Sequence, residues 1–241
     1  MSTTVTSTRV APRRIYLAIG VLMLAIAIAG FWPSYYGQIL PGTLRQPPVI
    51  HLHAAVFLGW LFIVIAQAWL AATGRITLHR RLGRFLFIYG VLVIFVGWFL
   101  VLVLFAERVH AGEVTQARNQ LFVPFTDMLF FAPVLFAAWA LRRRSEFHKR
   151  LIIVATTVLL IAAAHRFIGV HIGRPPPLWP VMTVWLAPIL VAMGHDLVTR
   201  RIVHPVYVIG IAWISCMKLR APLRSTSIWE GFSSWLATLV A

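Results

Sequence analysis

Seven runs of apolar residues, each close to the length of a membrane crossing, govern what this 241-residue chain can fold into. They cover about residues 15–32, 53–72, 85–106, 121–141, 151–171, 179–198 and 203–219. A helix needs roughly 20 apolar residues to cross the hydrocarbon core. The fold expected is therefore all-α: a polytopic transmembrane helix bundle of about seven spans, forming one domain over residues 1–241. Composition points the same way. Only 12% of residues are charged, where a soluble domain carries about a quarter. The lipid bilayer is the first partner implied.

The first run has no small-residue cleavage pattern followed by a soluble domain, so it is expected to be a retained span. The single cysteine, Cys216, excludes internal disulfides and thiolate metal clusters; within its apolar run it is expected to pack. The last stretch, IWEGFSSWLATLVA, is too short to span. Trp229, Phe232, Trp235 and Leu236 fall at helical spacing there, which predicts an interfacial helix over about 228–240. Residues 33–52, with Pro33, Pro41, Pro47 and Pro48, and the GRPPP run after span five are expected to be stiff connectors. Trp32, Tyr35, Tyr36 and Trp179 suit an aromatic belt.

The net charge of +16 does not indicate nucleic acid, because the arginines sit in short segments between spans and no basic helix with interleaved aromatics occurs. It orients the chain and can hold anionic lipid headgroups. Short cytoplasmic loops carry an excess of Lys and Arg. With the amino terminus inside, the inner segments hold fourteen: Arg9, Arg13 and Arg14; Arg75, Arg80, Arg81 and Arg84; Arg142, Arg143, Arg144, Lys149 and Arg150; Arg200 and Arg201. The outer segments hold five, Arg45, Arg108, Arg118, Arg166 and Arg174. This places the chain in a bacterial inner membrane with a cytoplasmic amino terminus. Lys218, Arg220 and Arg224 break the pattern, since seven crossings put them outside.

An Arg-x-x-x-His spacing recurs at Arg75–His79, Arg144–His148 and Arg200–His204, each time between two spans. The first two copies extend as LHRRLGRF and FHKRLIIV. A lone first span followed by three related hairpins, spans 2–3, 4–5 and 6–7, is the organisation this implies.

Polar groups inside a membrane are expensive and ask for a partner or a job. On the inner side, His79, His148, His195, Asp196 and His204 read as a boundary, with Asp196 pairing Arg200 at i, i+4. The outer side carries His51, His53, His110, Asp127, His165, Arg166 and His171. Asp127 and His165-Arg166 fall at similar depth, and an Asp127–Arg166 ion pair lowers the cost of burying both. The same residues support three chemistries. His53 and His165 can ligate a haem b iron, with Arg166 on its propionates. His51, His53, Asp127 and His171 supply the donor types for copper or zinc. Asp127 and Arg166 can serve as buried gates of a transporter or small-molecule-binding protein, with Asp127 and His165 as a proton relay. A structural subunit with no site is the remaining reading, and no residue pattern fixes an enzymatic activity.

His53, Trp60 and Gln67 recur every seven residues and share one face of span two. Gln67 is expected to hydrogen-bond a neighbouring helix, or to face a small-molecule ligand such as a quinone head. The run RRIVHPVYVIG resembles the methyltransferases of the isoprenylcysteine type through His204-Pro205 and Tyr207, but its flanks depart from them and no S-adenosylmethionine site carries over. No histidine-box cluster, P-loop, GxGxxG or Ser-His-Asp arrangement appears.

In HLHAAVFLGWLFIVIAQAWLAATGRITLHRRLGRF, the residues His53, Gly59, Gln67, Arg75, His79, Arg80, Gly83 and Arg84 follow a fixed order. Through them the chain resembles a family of bacterial integral membrane proteins of unassigned activity, over about 35 residues. The resemblance implies a membrane bundle and no mechanism. A looser likeness, in histidines near both faces of a bundle, is to dihaem b-type cytochromes.

Overall fold

A computed structural model describes residues 11–173 and 175–240, with side chains from Arg14 onward. Arg9, the side chain of Arg13, and Arg174 lie outside the described residues. Nine helices longer than ten residues account for most of the described chain, and no strand occurs in it. They are α1 (Ala11–Phe31), α2 (Pro48–Ala72), α3 (Ile76–His110), α4 (Val114–Ala140), α5 (Ser145–Leu159), α6 (Ile161–His171), α7 (Leu178–Arg200), α8 (Pro205–Leu219) and α9 (Ser227–Val240). Six segments are long and apolar enough to cross a membrane, and α5 with α6, a pair bent by 50°, makes a seventh when the two are counted as one span. The protein is an all-α polytopic membrane bundle.

The first half of α3 turns its large side chains outward, since lipid is as apolar as the core. On α3, Phe85, Ile88, Leu92, Phe95 and Phe99 face outward, while Val93, Ile94 and Val101 are buried. Two glycines share the buried face: a Cβ on Gly90 would run into Leu135 and Trp60, and one on Gly97 into Met128. Small residues let helices approach, and dispersion then substitutes for the missing hydrophobic drive. Gly59 follows the same logic, because the Tyr89 hydroxyl fills the space a Cβ would need and donates to the Val56 carbonyl at 3.0 Å.

The closest approach is between α1 and α6. A Cβ on Gly30 would stand 2.3 Å from the carbonyl oxygen of Ala163 and 2.7 Å from its Cα. Neither is a flexible side chain, so the helices must separate. Gly30→Ala is expected to cost roughly 1–3 kcal/mol, read as a lower thermal midpoint in detergent. An unchanged midpoint would show that the crossing is loose.

Three expectations are corrected. Residues 76–84, which the apolar runs leave between spans two and three, are helical: the turn is Thr73–Arg75, with Gly74 at φ 77°, and the rest of GRITLHRRLGRF forms the first turns of the 35-residue α3. Likewise most of 33–52 is helical, Pro33 lying in a π-helical turn (Trp32–Tyr36) and Pro48 opening α2. Cys216 is exposed on α8 and does not pack inward. The tail helix α9 docks on α3 and α4, where Ala237 joins Val101, Phe105, Val109, Ala117 and Leu121 in a second core. Arg118 ties it down with bonds to the Ser233 hydroxyl (3.0 Å) and the Glu230 carbonyl (3.3 Å). Trp32 and Trp179 are exposed, as belt residues must be.

Candidate functional site

Two polar centres sit at opposite ends of the broken fifth span. The first is built on α5 and α7. Residues 150, 153, 154, 157 and 158 recur at helical spacing on one face of α5, and all are buried. Position 150 in that apolar register is an arginine, fully enclosed at 0% exposure. Residues 185, 189, 192 and 196 do the same on α7, ending in Asp196 at 1%. The two faces meet, and the charges meet with them. Arg150 Nη2 donates to both Asp196 oxygens at 2.8 Å and Nε donates to Oδ2 at 3.2 Å. Its Nη1 donates to the Glu146 carbonyl and carboxylate, each at 2.8 Å.

Glu146 also holds Lys149 (2.7 Å) and Arg200 (2.6 Å). Arg150 lies over the Tyr207 ring at 5.5 Å and Lys149 over Tyr16 at 5.0 Å. The expected Asp196–Arg200 contact exists at 3.8 Å, but Arg150 is the principal partner. Residues 142–150 look like one basic segment in sequence, which hid Arg150; its register with Ile153, Val154 and Thr157 was the signal that separated it from its neighbours.

The three repeat histidines gather beside this centre. Arg75 and Arg144 each occupy the N-cap of the following helix. His79 and His148 each reach back to the preceding helix, donating to Gln67 (3.2 Å) and Ala138 (2.9 Å) carbonyls. Their rings stand 6.5 Å apart. These two hairpins share one capping device. The third differs: His204 is itself the N-cap of α8 and accepts from the Val206 N–H at 3.3 Å.

Between the centres the fifth span breaks at Leu160. Neither proline nor glycine occurs there, so the cause is a side chain inserted into the hydrogen-bond ladder. The Trp185 indole N–H donates to the Thr157 carbonyl at 2.7 Å, and the Leu160 N–H closes on the same oxygen at 3.0 Å. Trp60 of α2 donates to the neighbouring Thr156 hydroxyl at 3.2 Å. Thr156, Thr157 and Leu160 are all buried.

The second centre lies beyond the break. Asp127 of α4 pairs with Arg220, which follows α8 and is 7% exposed. Arg220 Nη2 also donates to the Val123 carbonyl at 3.3 Å, and its guanidinium lies over Phe130 at 5.3 Å. Lys218 donates to His165 Nε2 of α6 and lies 5.7 Å from the Trp185 ring. Asp127 and His165 are thus brought to one centre through two tail cations. The ion pair itself is corrected: Asp127 is held by Arg220, and the Arg166 guanidinium lies over Phe31 at 5.0 Å. Lys218 and Arg220 are internal partners rather than loop charges, which removes two of the three residues that broke the arginine pattern.

The other sequence-nominated residues stand apart. His51 meets the Tyr35 hydroxyl at 2.9 Å, His53 stacks on Phe57 of its own helix at 3.9 Å, and His171 packs on Phe167 at 4.6 Å. Among the described residues no three His, Cys, Asp or Glu side chains converge as metal ligands. α2 and α6, which carry His53 and His165, each pack on α1. The Gln67 amide makes no hydrogen bond to a neighbouring helix, contrary to expectation, and both its polar atoms are buried, as is the unpartnered Nδ1 of His53. No family model matches this chain, and no curated protein or solved structure matches it either.

Proposed function

We propose that this protein binds and carries a small molecule within the membrane, and that its site is the break in the fifth span. The observation behind this reading is the buried interruption at Leu160, clamped by Trp60 and Trp185 and overlooked by Lys218 and His165. Irregular backbone at membrane depth persists only inside protein or along a cavity, and discontinuous spans in transporters form substrate sites where two half-helices meet. Asp127, Arg220 and Lys218 supply charge at one end of it, with the His165 ring against Lys218; Arg166 lies on the same helix as His165. The bent span gives such a site a joint around which one half can move.

Trp185→Phe removes the indole donor and keeps the ring. It is expected to straighten the span and abolish ligand response. The test is a thermal-shift screen of purified protein against small carboxylates, amino acids, sugars and nucleobases, followed by uptake of each hit into proteoliposomes. At least one compound should stabilise the wild type and leave Trp185→Phe unchanged. A screen in which nothing binds and nothing is taken up overturns the reading.

A redox reading keeps one observation in its favour, the buried, unpartnered Nδ1 of His53. It places haem b between His53 and His165 with Arg166 and Gln67 nearby; copper or zinc on His51, His53, Asp127 and His171 lacks that support, because these donors do not converge. A Soret band or stoichiometric metal in the purified protein would favour it. The bacterial inner membrane and cytoplasmic amino terminus rest on the arginine asymmetry, and labelling of single cysteines introduced at residues 143 and 112 tests them.

A further inference from the structure

The chain contains six carboxylates: Glu107, Glu113, Asp127, Glu146, Asp196 and Glu230. Glu146 and Asp196 are consumed by Arg150, Lys149 and Arg200. Asp127 is taken by Arg220. Among the described residues none forms an ion pair with Lys218, whose hydrogen-bond partner is an imidazole nitrogen. A half-buried ammonium inside a membrane bundle thus stands without a counter-ion of its own. The excess does not end there. Arg220, more than nine-tenths buried, has an Nη1 with no hydrogen-bond acceptor. Two cations, one carboxylate and a histidine leave the centre one positive charge in surplus, with Arg220 Nη1 unfilled and an imidazole as the hydrogen-bond partner of Lys218.

A cation at this depth is costly unless paired. Carboxylate and phosphate oxygens are the partners that Lys and Arg donors hold with charge-assisted hydrogen bonds. We propose that the second centre is an anion site, in which Lys218 and Arg220 receive a carboxylate- or phosphate-class group, Asp127 competes with that group for Arg220, and His165 accepts from Lys218. The group comes from a free solute or from the headgroup of an anionic lipid. This names the ligand class of the carrier proposed above, and so rests on that reading, but its anchor is Lys218 rather than the Trp185 clamp.

The experiment uses the purified full chain in chloride-free buffer. Acetate and inorganic phosphate are titrated while the thermal midpoint is followed, and in parallel the protein is taken from nanodiscs of phosphatidylglycerol or of phosphatidylcholine for native mass spectrometry. Saturable stabilisation by acetate or phosphate identifies a free anion, and selective retention of phosphatidylglycerol identifies a headgroup; either supports the proposal. Lys218→Met is expected to weaken binding at least tenfold and Lys218→Arg to restore it. Asp127→Asn, which releases Arg220 and adds one positive charge, is expected to tighten it several-fold. That variant keeps the proposal open to test if Lys218→Met does not fold. Absence of binding by every probe overturns the proposal, as does binding indifferent to Lys218 and Asp127. A neutral or cationic compound that binds through Trp185 while no anion does would sink the anion site and spare the carrier. Anion binding indifferent to Trp185→Phe, without uptake, would do the reverse.

Discussion

Asp196→Leu is expected to cost about 3–5 kcal/mol, the penalty for stranding one member of a buried ion pair. It removes the acceptor of three Arg150 bonds while leaving the guanidinium fully enclosed. Glu146, at 42% side-chain exposure, cannot take over those bonds and is already shared with Lys149 and Arg200. The readout is the thermal midpoint together with the monodisperse fraction recovered in detergent. Arg150→Met in the same chain should recover most of the loss, because a well-packed apolar pair often equals the ion pair it replaces. A single variant with the wild-type midpoint would show that the pair holds nothing together.

The second large effect belongs to Arg220→Met, expected to cost about 3 kcal/mol. Asp127, at 15% exposure, then loses its partner. Lys218, two residues earlier, is close enough to recover part of the interaction, so the loss should fall below that of Asp196→Leu. A double-mutant cycle with Asp127→Leu isolates the pair. Penalties that add to within about 0.5 kcal/mol would mean that the two residues do not interact.

The spans were legible because a hydrocarbon solvent demands long apolar runs, and six long apolar helices and the bent α5–α6 pair lie where the seven runs do. The helix ends were less so. α3 begins at Ile76, well before its apolar run, because LHRRLGRF forms good helix outside the hydrocarbon. The charged partners were hardest to foresee. Asp127 and His165 stood out as polar residues in apolar sequence, and both do sit at one centre. Their partners, Arg220 and Lys218, stood in what looked like an ordinary basic tail. Arg150 was concealed in the same way among Arg142, Arg143, Arg144 and Lys149. Cations are expected near span ends, so their presence there carries little information. Only helical register distinguishes the one that turns inward, and for Arg220, which lies past the end of α8, even register is silent. The break at Leu160 left no sequence trace, because its cause is an indole 28 residues away in the chain.

The pairing of Asp127 with Arg220 spans 93 residues, and this sets an order of events during synthesis. At roughly 5–20 residues per second, α4 waits about 5–20 s after emerging before its cation exists. Arg150 waits on Asp196 for 46 residues, about half that interval. For those seconds the insertion machinery handles helices whose buried charges have no partners, so their orientation must be held by what has already been made: the Arg142–Arg144 cluster and the glycine-lined contacts among α1, α2, α3 and α4. Arg220, made after every long helix but α9, neutralises a charge laid down near the middle of the chain, and a ribosome that stops short of it leaves the fourth helix with its carboxylate still unpaired.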